Sequence, residues 1–222
     1  MPLAHVDISI EKSVLPGTVE QFLGEADDRV SRFVRSNPAR ETGFVPSNYV
    51  SVYNALRAIC DTELCPGNSL CEWGSGFGVV SSLASMLGFS VTGIEIDGSL
   101  VDASRVLASD FGLPVEFVHG TFVPLGSEAH SAEAYVDNNA EYDWLIKDAD
   151  NAYAKRGLQL DSFDIVFAYP WPGEEYLIER LFEDGAANGA LLLTYSDVDS
   201  IRVRRKLDAS FDSSSSNFVR AN

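Results

Sequence analysis

Apolar residues along the chain keep two rhythms. Val19, Phe22, Leu23, Val30, Phe33 and Val34 fall at helical spacing in a polar stretch, which predicts an amphipathic helix ending before Asn37-Pro38. Tyr49, Val50, Tyr53, Leu56 and Ile59 predict a second helix, with Ser47 as its N-cap and Pro66-Gly67 beyond its end. From residue 68 the rhythm changes. Five short apolar runs, Ser69–Trp73, Ser90–Glu95, Val115–His119, Phe163–Tyr169 and Ala190–Tyr195, read as strands. Helical faces follow the first, second and fourth: Val79, Val80, Leu83, Met86 and Leu87, closed by Gly88; then Leu100, Ala103, Val106 and Leu107; then Tyr176, Leu177, Leu181 and Phe182. Strand and helix in turn predict a mostly parallel sheet with helices on both faces.

Two segments depart from that alternation. Residues 124–160 stand where a crossover helix is due, yet run to 37 residues with seven acidic against three basic side chains. An insertion this long at such a place predicts a lid. At the end, Ile201–Leu207 alternates apolar and basic residues, and Asn217–Arg220 is a candidate partner across Ser213–Ser216, giving a terminal antiparallel hairpin with its basic side chains in water. The expected organisation is a helical cap over 1–43 and a main domain over 44–222.

Composition narrows the function classes. With 222 residues and 45% hydrophobic side chains, the chain can bury a full core. Its net charge of −17 argues against a nucleic-acid partner, since phosphates are held by Lys and Arg and the longest basic stretch is Arg202–Lys206. No apolar run approaches a membrane span, so a cytoplasmic protein without a membrane partner is expected. Cys60, Cys65 and Cys71 form no CxxC pair, and His5, His119 and His130 are scattered, so no metal site is expected.

The chemistry concentrates at Glu72-Trp73-Gly74-Ser75-Gly76-Phe77-Gly78, where the first strand turns into a helix. Open α/β sheets bind ligands at this edge, and glycines there let the backbone turn tightly and approach a ligand. Glu95 ends the next strand 21 residues after Gly74, where a carboxylate can accept both hydroxyl protons of a ribose. Together they suggest an adenosine ligand. A dinucleotide fingerprint needs a third glycine at position 79, which is valine; the third glycine is Gly78.

The pattern Glu72-x-Gly74-x-Gly76-x-Gly78, followed by Gly93-Ile94-Glu95, resembles the nucleotide loop of class I S-adenosylmethionine-dependent methyltransferases. That resemblance implies their Rossmann-like fold, S-adenosylmethionine as cofactor with S-adenosylhomocysteine as product, and cofactor contacts from Glu72, Gly74, Ser75, Gly76, Gly78 and Glu95. It also assigns Gly120, Thr121 and Phe122 to the adenine, where the family has Gly-Asp or Gly-Asn, and makes Ala168, in the segment whose end lines the methyl-transfer site, a cofactor contact. Ala168-Tyr169-Pro170-Trp171 stands where amine methyltransferases carry Asp/Asn-Pro-Pro-Tyr, and its aromatic rings suit a cationic sulfonium or an amine. Gly43-Phe44-Val45-Pro46-Ser47 is similar to the Phe-Val-Pro-Thr/Ser motif of small protein-lysine methyltransferases. The implied acceptor is an amine, in a basic protein or a small molecule, with Tyr169, Trp171 and Tyr49 as candidate catalytic-site residues. Two other readings stay open: a Rossmann-type NAD-dependent oxidoreductase, and a non-catalytic module that binds the cofactor.

Overall fold

The computed structural model describes residues 3–11, 13–36, 45–127, 150–196 and 200–208. Seven strands form one sheet: β1 (Leu3–His5), β2 (Ser69–Trp73), β3 (Ser90–Glu95), β4 (Val115–His119), β5 (Ile165–Ala168), β6 (Leu191–Tyr195) and β7 (Ile201–Lys206). Their spatial order is β1-β7-β6-β5-β2-β3-β4. Strands β2 to β6 pair in parallel, while β7 runs antiparallel to β6 and β1 antiparallel to β7.

Both faces of the sheet are covered, and the strands show why. In β5, Ile165 and Phe167 point to one hydrophobic cluster and Val166 and Ala168 to the other; in β6, Leu191 and Leu193 alternate with Leu192 in the same way. A strand buried on both sides reads as a continuous apolar run, as these do. One face is packed by α2 (Tyr49–Asp61) and α3 (Val79–Met86), through Val52, Leu56, Ile59, Val80 and Ala84. Helix α4 (Gly98–Asp110) meets Phe117 of β4 through Val101 and Ala108. The opposite face takes the short α5 (Ala152–Arg156) and α6 (Glu175–Gly185), whose Leu177, Ile178, Leu181 and Phe182 are buried. Outside α3 and α4 lies α1 (Gly17–Ser36), burying Val19, Phe22, Ala26 and Val30 against Leu83, Leu100 and Leu107.

Several expectations change. The N-cap of α2 is Asn48, not Ser47: its side chain accepts from Ser51 N–H at 3.1 Å, the third helical N–H after the cap. The fourth predicted strand is shorter than expected, since Asp164 leaves the strand pattern to accept from Ser69 N–H at 3.0 Å. The N-terminal segment supplies a strand as well as a helix, β1 pairing with β7 from Leu3↔Lys206 to His5↔Arg204. The antiparallel partners of β7 are therefore β6 and β1; Asn217–Arg220, its expected partner, lies outside the described residues. The basic side chains of β7 reach the ends and sides of the helices that cover the sheet and are not all in water. Lys206 is 7% exposed and donates to Ala186 O, Arg205 donates to Leu64 O at 2.7 Å, and Arg204 pairs with Glu179. Their aliphatic stems cover the sheet while the charged ends find acceptors. Cys71 is a buried core residue, as expected. Among the described residues no helix is long and apolar enough to cross a membrane.

Candidate functional site

From β2 the chain moves to β3 and β4 on one side and to β5 and β6 on the other, so the switch point of the sheet lies between β2 and β5. Ligands of open parallel sheets bind beyond the carboxyl ends of the strands at such a point. Trp73 pairs with Ile94 and with Ala168, and Glu95 with His119, which brings the loops after β2, β3, β4 and β5 to one edge.

The glycine loop is held by its neighbours. Gly74, Gly76 and Gly78 have φ of 69°, 52° and 69°, the left-handed region that glycine occupies without a Cβ penalty. Ser75 N–H donates to Ile94 O at 2.9 Å and Gly78 N–H to Ser75 O at 2.7 Å. Gly76 N–H donates to Glu95 Oε2 at 2.8 Å, and Asp97 N–H to Glu95 Oε1 at 2.9 Å. Burial raises the Glu95 carboxyl pKa, and these backbone donors oppose the shift. An ionised carboxylate offers about four acceptor positions, so two donors leave room for hydroxyl protons of a ligand. Asp97, by contrast, caps α4, its Oδ1 accepting from Ser99 N–H at 2.8 Å.

Glu72, expected at the ligand, turns into the protein. It is 4% exposed and accepts from Ser81 N–H at 2.8 Å and from the Ser81 hydroxyl. Gly78, the N-cap of α3, has no side chain to cap it, so the Glu72 carboxyl does so from β2. Burial pushes the Glu72 carboxyl up to about 8, Ser81 opposing and the Glu95 charge adding. A carboxyl raised above its ordinary 4.5 in the fold contributes stability that is full below that pH and is lost as pH rises through 8. Glu174, pushed up to about 7 mainly by burial, acts with the same sign over a lower window. Glu72→Gln should therefore flatten the fall in stability between pH 5 and 8.5, removing on the order of a few kcal/mol of pH dependence in urea unfolding.

Gly78 and Gly93 serve packing. A Cβ at Gly78 would stand 2.4 Å from Phe117 Cζ, and one at Gly93 2.8 Å from the same ring. At Gly74 a Cβ would meet nothing within 4 Å, so the loop is open on that side. Ser75 is 5% exposed, and its Oγ has no hydrogen-bond partner among the described residues. A buried orphan hydroxyl beside an open glycine fits a ligand with a polar group at the loop.

Gly120, Thr121 and Phe122 are engaged by the returning end of the 124–160 insertion. Thr121 N–H donates to Asp150 O at 3.1 Å, Ala152 N–H donates to Thr121 O at 3.2 Å, and a Cβ at Gly120 would stand 2.4 Å from Asp150 O. Asn151, which sequence reasoning missed, ties this corner: its Nδ2 donates to Val123 O at 2.8 Å and its Oδ1 caps α5. The only sequence sign of it is an asparagine just before apolar Ala152 and Tyr153. Phe122 stacks on Trp73 with centroids 5.0 Å apart, and the Trp73 indole donates to Tyr153 Oη at 2.7 Å. Residues 128–149 of the insertion lie outside the described residues.

On the β5 side, Ala168 is buried at the strand end, and Tyr169 meets Tyr195 edge-to-face at 4.9 Å. Tyr169 and Tyr49 pack against the same hydrophobic cluster, and burial raises the Tyr49 hydroxyl pKa, with Glu72 and Asp27 adding to it. Trp171, three residues beyond the end of β5, is 38% exposed. Glu174 is a third buried carboxyl, one that the sequence reading missed, 3% exposed and bonded to Trp171 N–H. Among the described residues no three His, Cys, Asp or Glu side chains gather as a metal set.

No protein-family model matches the chain, and no curated protein matches it by sequence. Solved structures do. A methyltransferase from Geobacter sulfurreducens superposes with a TM-score of 0.50 at 14% identity, covering 88% of this chain and 100% of that one. An RNA methyltransferase from Salinibacter ruber in complex with S-adenosyl-L-homocysteine gives 0.48 at 19%, covering 73% and 92%. The O-methyltransferase from Bacillus cereus gives 0.45 at 13%, covering 82% and 66%. The fold is the Rossmann-like fold of class I methyltransferases.

Proposed function

We propose that the chain is an S-adenosylmethionine-dependent methyltransferase acting on an amine, a lysine of a basic protein being the acceptor we favour. The observation that carries this reading is the Gly74–Gly78 loop at the switch point, pinned to the Glu95 carboxylate and carrying the orphan Ser75 hydroxyl. Glu95 accepts the ribose hydroxyls, the open side of Gly74 admits the ligand, and Gly120–Phe122 bounds the adenine. Glu72 acts on the site by fixing α3 behind the loop. When bound, the cofactor supplies a methyl group on a cationic sulfur. The chain's own task is alignment and desolvation, because in-line displacement depends on holding the acceptor at contact distance. At pH 7 roughly one free lysine amine in two thousand is neutral, so an apolar wall of Tyr49, Tyr169 and Trp171 aids transfer by favouring the uncharged form.

We further propose that residues 1–43 cap the main domain through α1 while lending β1 to its sheet, and that the acidic insertion 124–160 is a lid drawing in basic acceptors. Incubating the protein with radiolabelled S-adenosylmethionine and a fractionated lysate should put label into protease-sensitive material. Label in RNase-sensitive material would replace the amine by a nucleic-acid acceptor, and label only in small molecules would remove the protein acceptor.

A further inference from the structure

Trp171–Pro172–Gly173–Glu174 forms a tight turn just beyond the carboxyl end of β5. Pro172 and Gly173, the latter at φ 94°, occupy the positions where a type II turn prefers proline and glycine, and Glu174 N–H donates to Trp171 O at 2.9 Å. The side chain of Glu174 completes the turn from the other direction, its Oε2 accepting from Trp171 N–H at 3.0 Å. Glu174 occupies the N-cap position of α6, yet its side chain makes no cap bond to that helix and folds back onto the turn instead. One residue thus holds both backbone groups of Trp171. Glu174 is 3% exposed, and the backbone N–H of Trp171 is the one donor to its carboxyl among the described residues, whereas Trp171 is 38% exposed.

We propose that Glu174 is a positioning residue of the acceptor site: by fixing the Trp171 backbone it sets where the indole stands beside the methyl-transfer position, and so governs acceptor affinity without acting on the cofactor. This inference rests on the methyltransferase reading. Glu174→Met keeps the side-chain bulk and removes the acceptor, leaving Trp171 N–H unpaired; Glu174→Gln keeps an oxygen that can accept from it.

Both variants and the wild type, labelled with 5-fluorotryptophan, can be followed by 19F NMR with the Trp171 resonance assigned through Trp171→Phe. The Trp171 signal should move or broaden in Glu174→Met and return to the wild-type position in Glu174→Gln, with the Trp73 signal unmoved in both. With the acceptor found by the labelling assay, Glu174→Met should raise its KM about tenfold, the worth of roughly one hydrogen bond, with kcat little changed. Trp171→Ala combined with Glu174→Met should be no worse than Trp171→Ala alone. An unmoved Trp171 signal in Glu174→Met, a Gln variant as impaired as the Met variant, additive KM losses, or loss of S-adenosylhomocysteine binding in Glu174→Met would each overturn the proposal. Failure of the wild type itself to bind S-adenosylhomocysteine would sink the methyltransferase reading instead, and the Trp171 signal would still report on the turn.

Discussion

Glu95→Ala should lower affinity for S-adenosylhomocysteine by about 100-fold or more, which corresponds to about 2.7 kcal/mol. Two losses combine. The ribose hydroxyls lose a charged acceptor, and Gly76 N–H and Asp97 N–H, now bonded to the carboxylate at 2.8 and 2.9 Å, lose that bond. A buried donor stripped of its acceptor costs about 1–3 kcal/mol, so the loop that receives the ligand loosens as well. Asp97→Ala is the matched control. It removes the cap of α4, worth about 1 kcal/mol of stability, and should leave affinity within about threefold of wild type. Calorimetric titration of both variants checks the assignment; retained affinity in Glu95→Ala with loss in Asp97→Ala would reverse it.

Gly78→Ala should be the most destabilising single methyl in the loop. The added carbon would sit 2.4 Å from Phe117 Cζ and 2.8 Å from Ser104 Cβ, on a backbone at φ 69°. Overpacking of about 1–3 kcal/mol adds to conformational strain of about 1–3 kcal/mol. For a chain of this size that lowers Tm by roughly 5–15 °C. Gly88→Ala carries the same kind of strain, φ 91°, but meets nothing within 4 Å, so it should lose only the strain component. Phe117→Leu in the Gly78→Ala background should restore part of the loss. Equal Tm losses for Gly78→Ala and Gly88→Ala, read by calorimetry, would show that Phe117 does not determine the glycine.

Strands β2, β3 and β4 were legible because short runs carrying buried apolar side chains stand between turn residues: all three span the residues expected from the sequence. Strand β1 was not, since three half-exposed residues at a sheet edge carry no pattern. The pairing of β7 was misread because alternation tells which side chains share a face, never which strand lies alongside. At the site, the glycine loop and Glu95 were legible from spacing. The inward turn of Glu72 was not, because it depends on Ser81, nine residues away on α3, supplying two donors. Nor could spacing separate glycines that face open space, such as Gly74, from those that exist for Phe117, such as Gly78 and Gly93. Asn151 escaped because its partner, Val123 O, is 28 residues distant across the insertion. Glu174 looked like one acid among many until the turn showed what it holds.

The central claim is a site for S-adenosylmethionine built on the Gly74–Gly78 loop, and ligand-dependent melting tests it most directly. A ligand bound only by the native state at about 100 times its Kd stabilises by about 2.7 kcal/mol, which raises Tm by roughly 5–10 °C for a chain of this size. Saturating S-adenosylhomocysteine, added to protein purified free of carried-over ligand, should produce that rise, while NAD and ATP should leave the melting curve in place. A curve unmoved by S-adenosylhomocysteine, or moved by NAD instead, would contradict it.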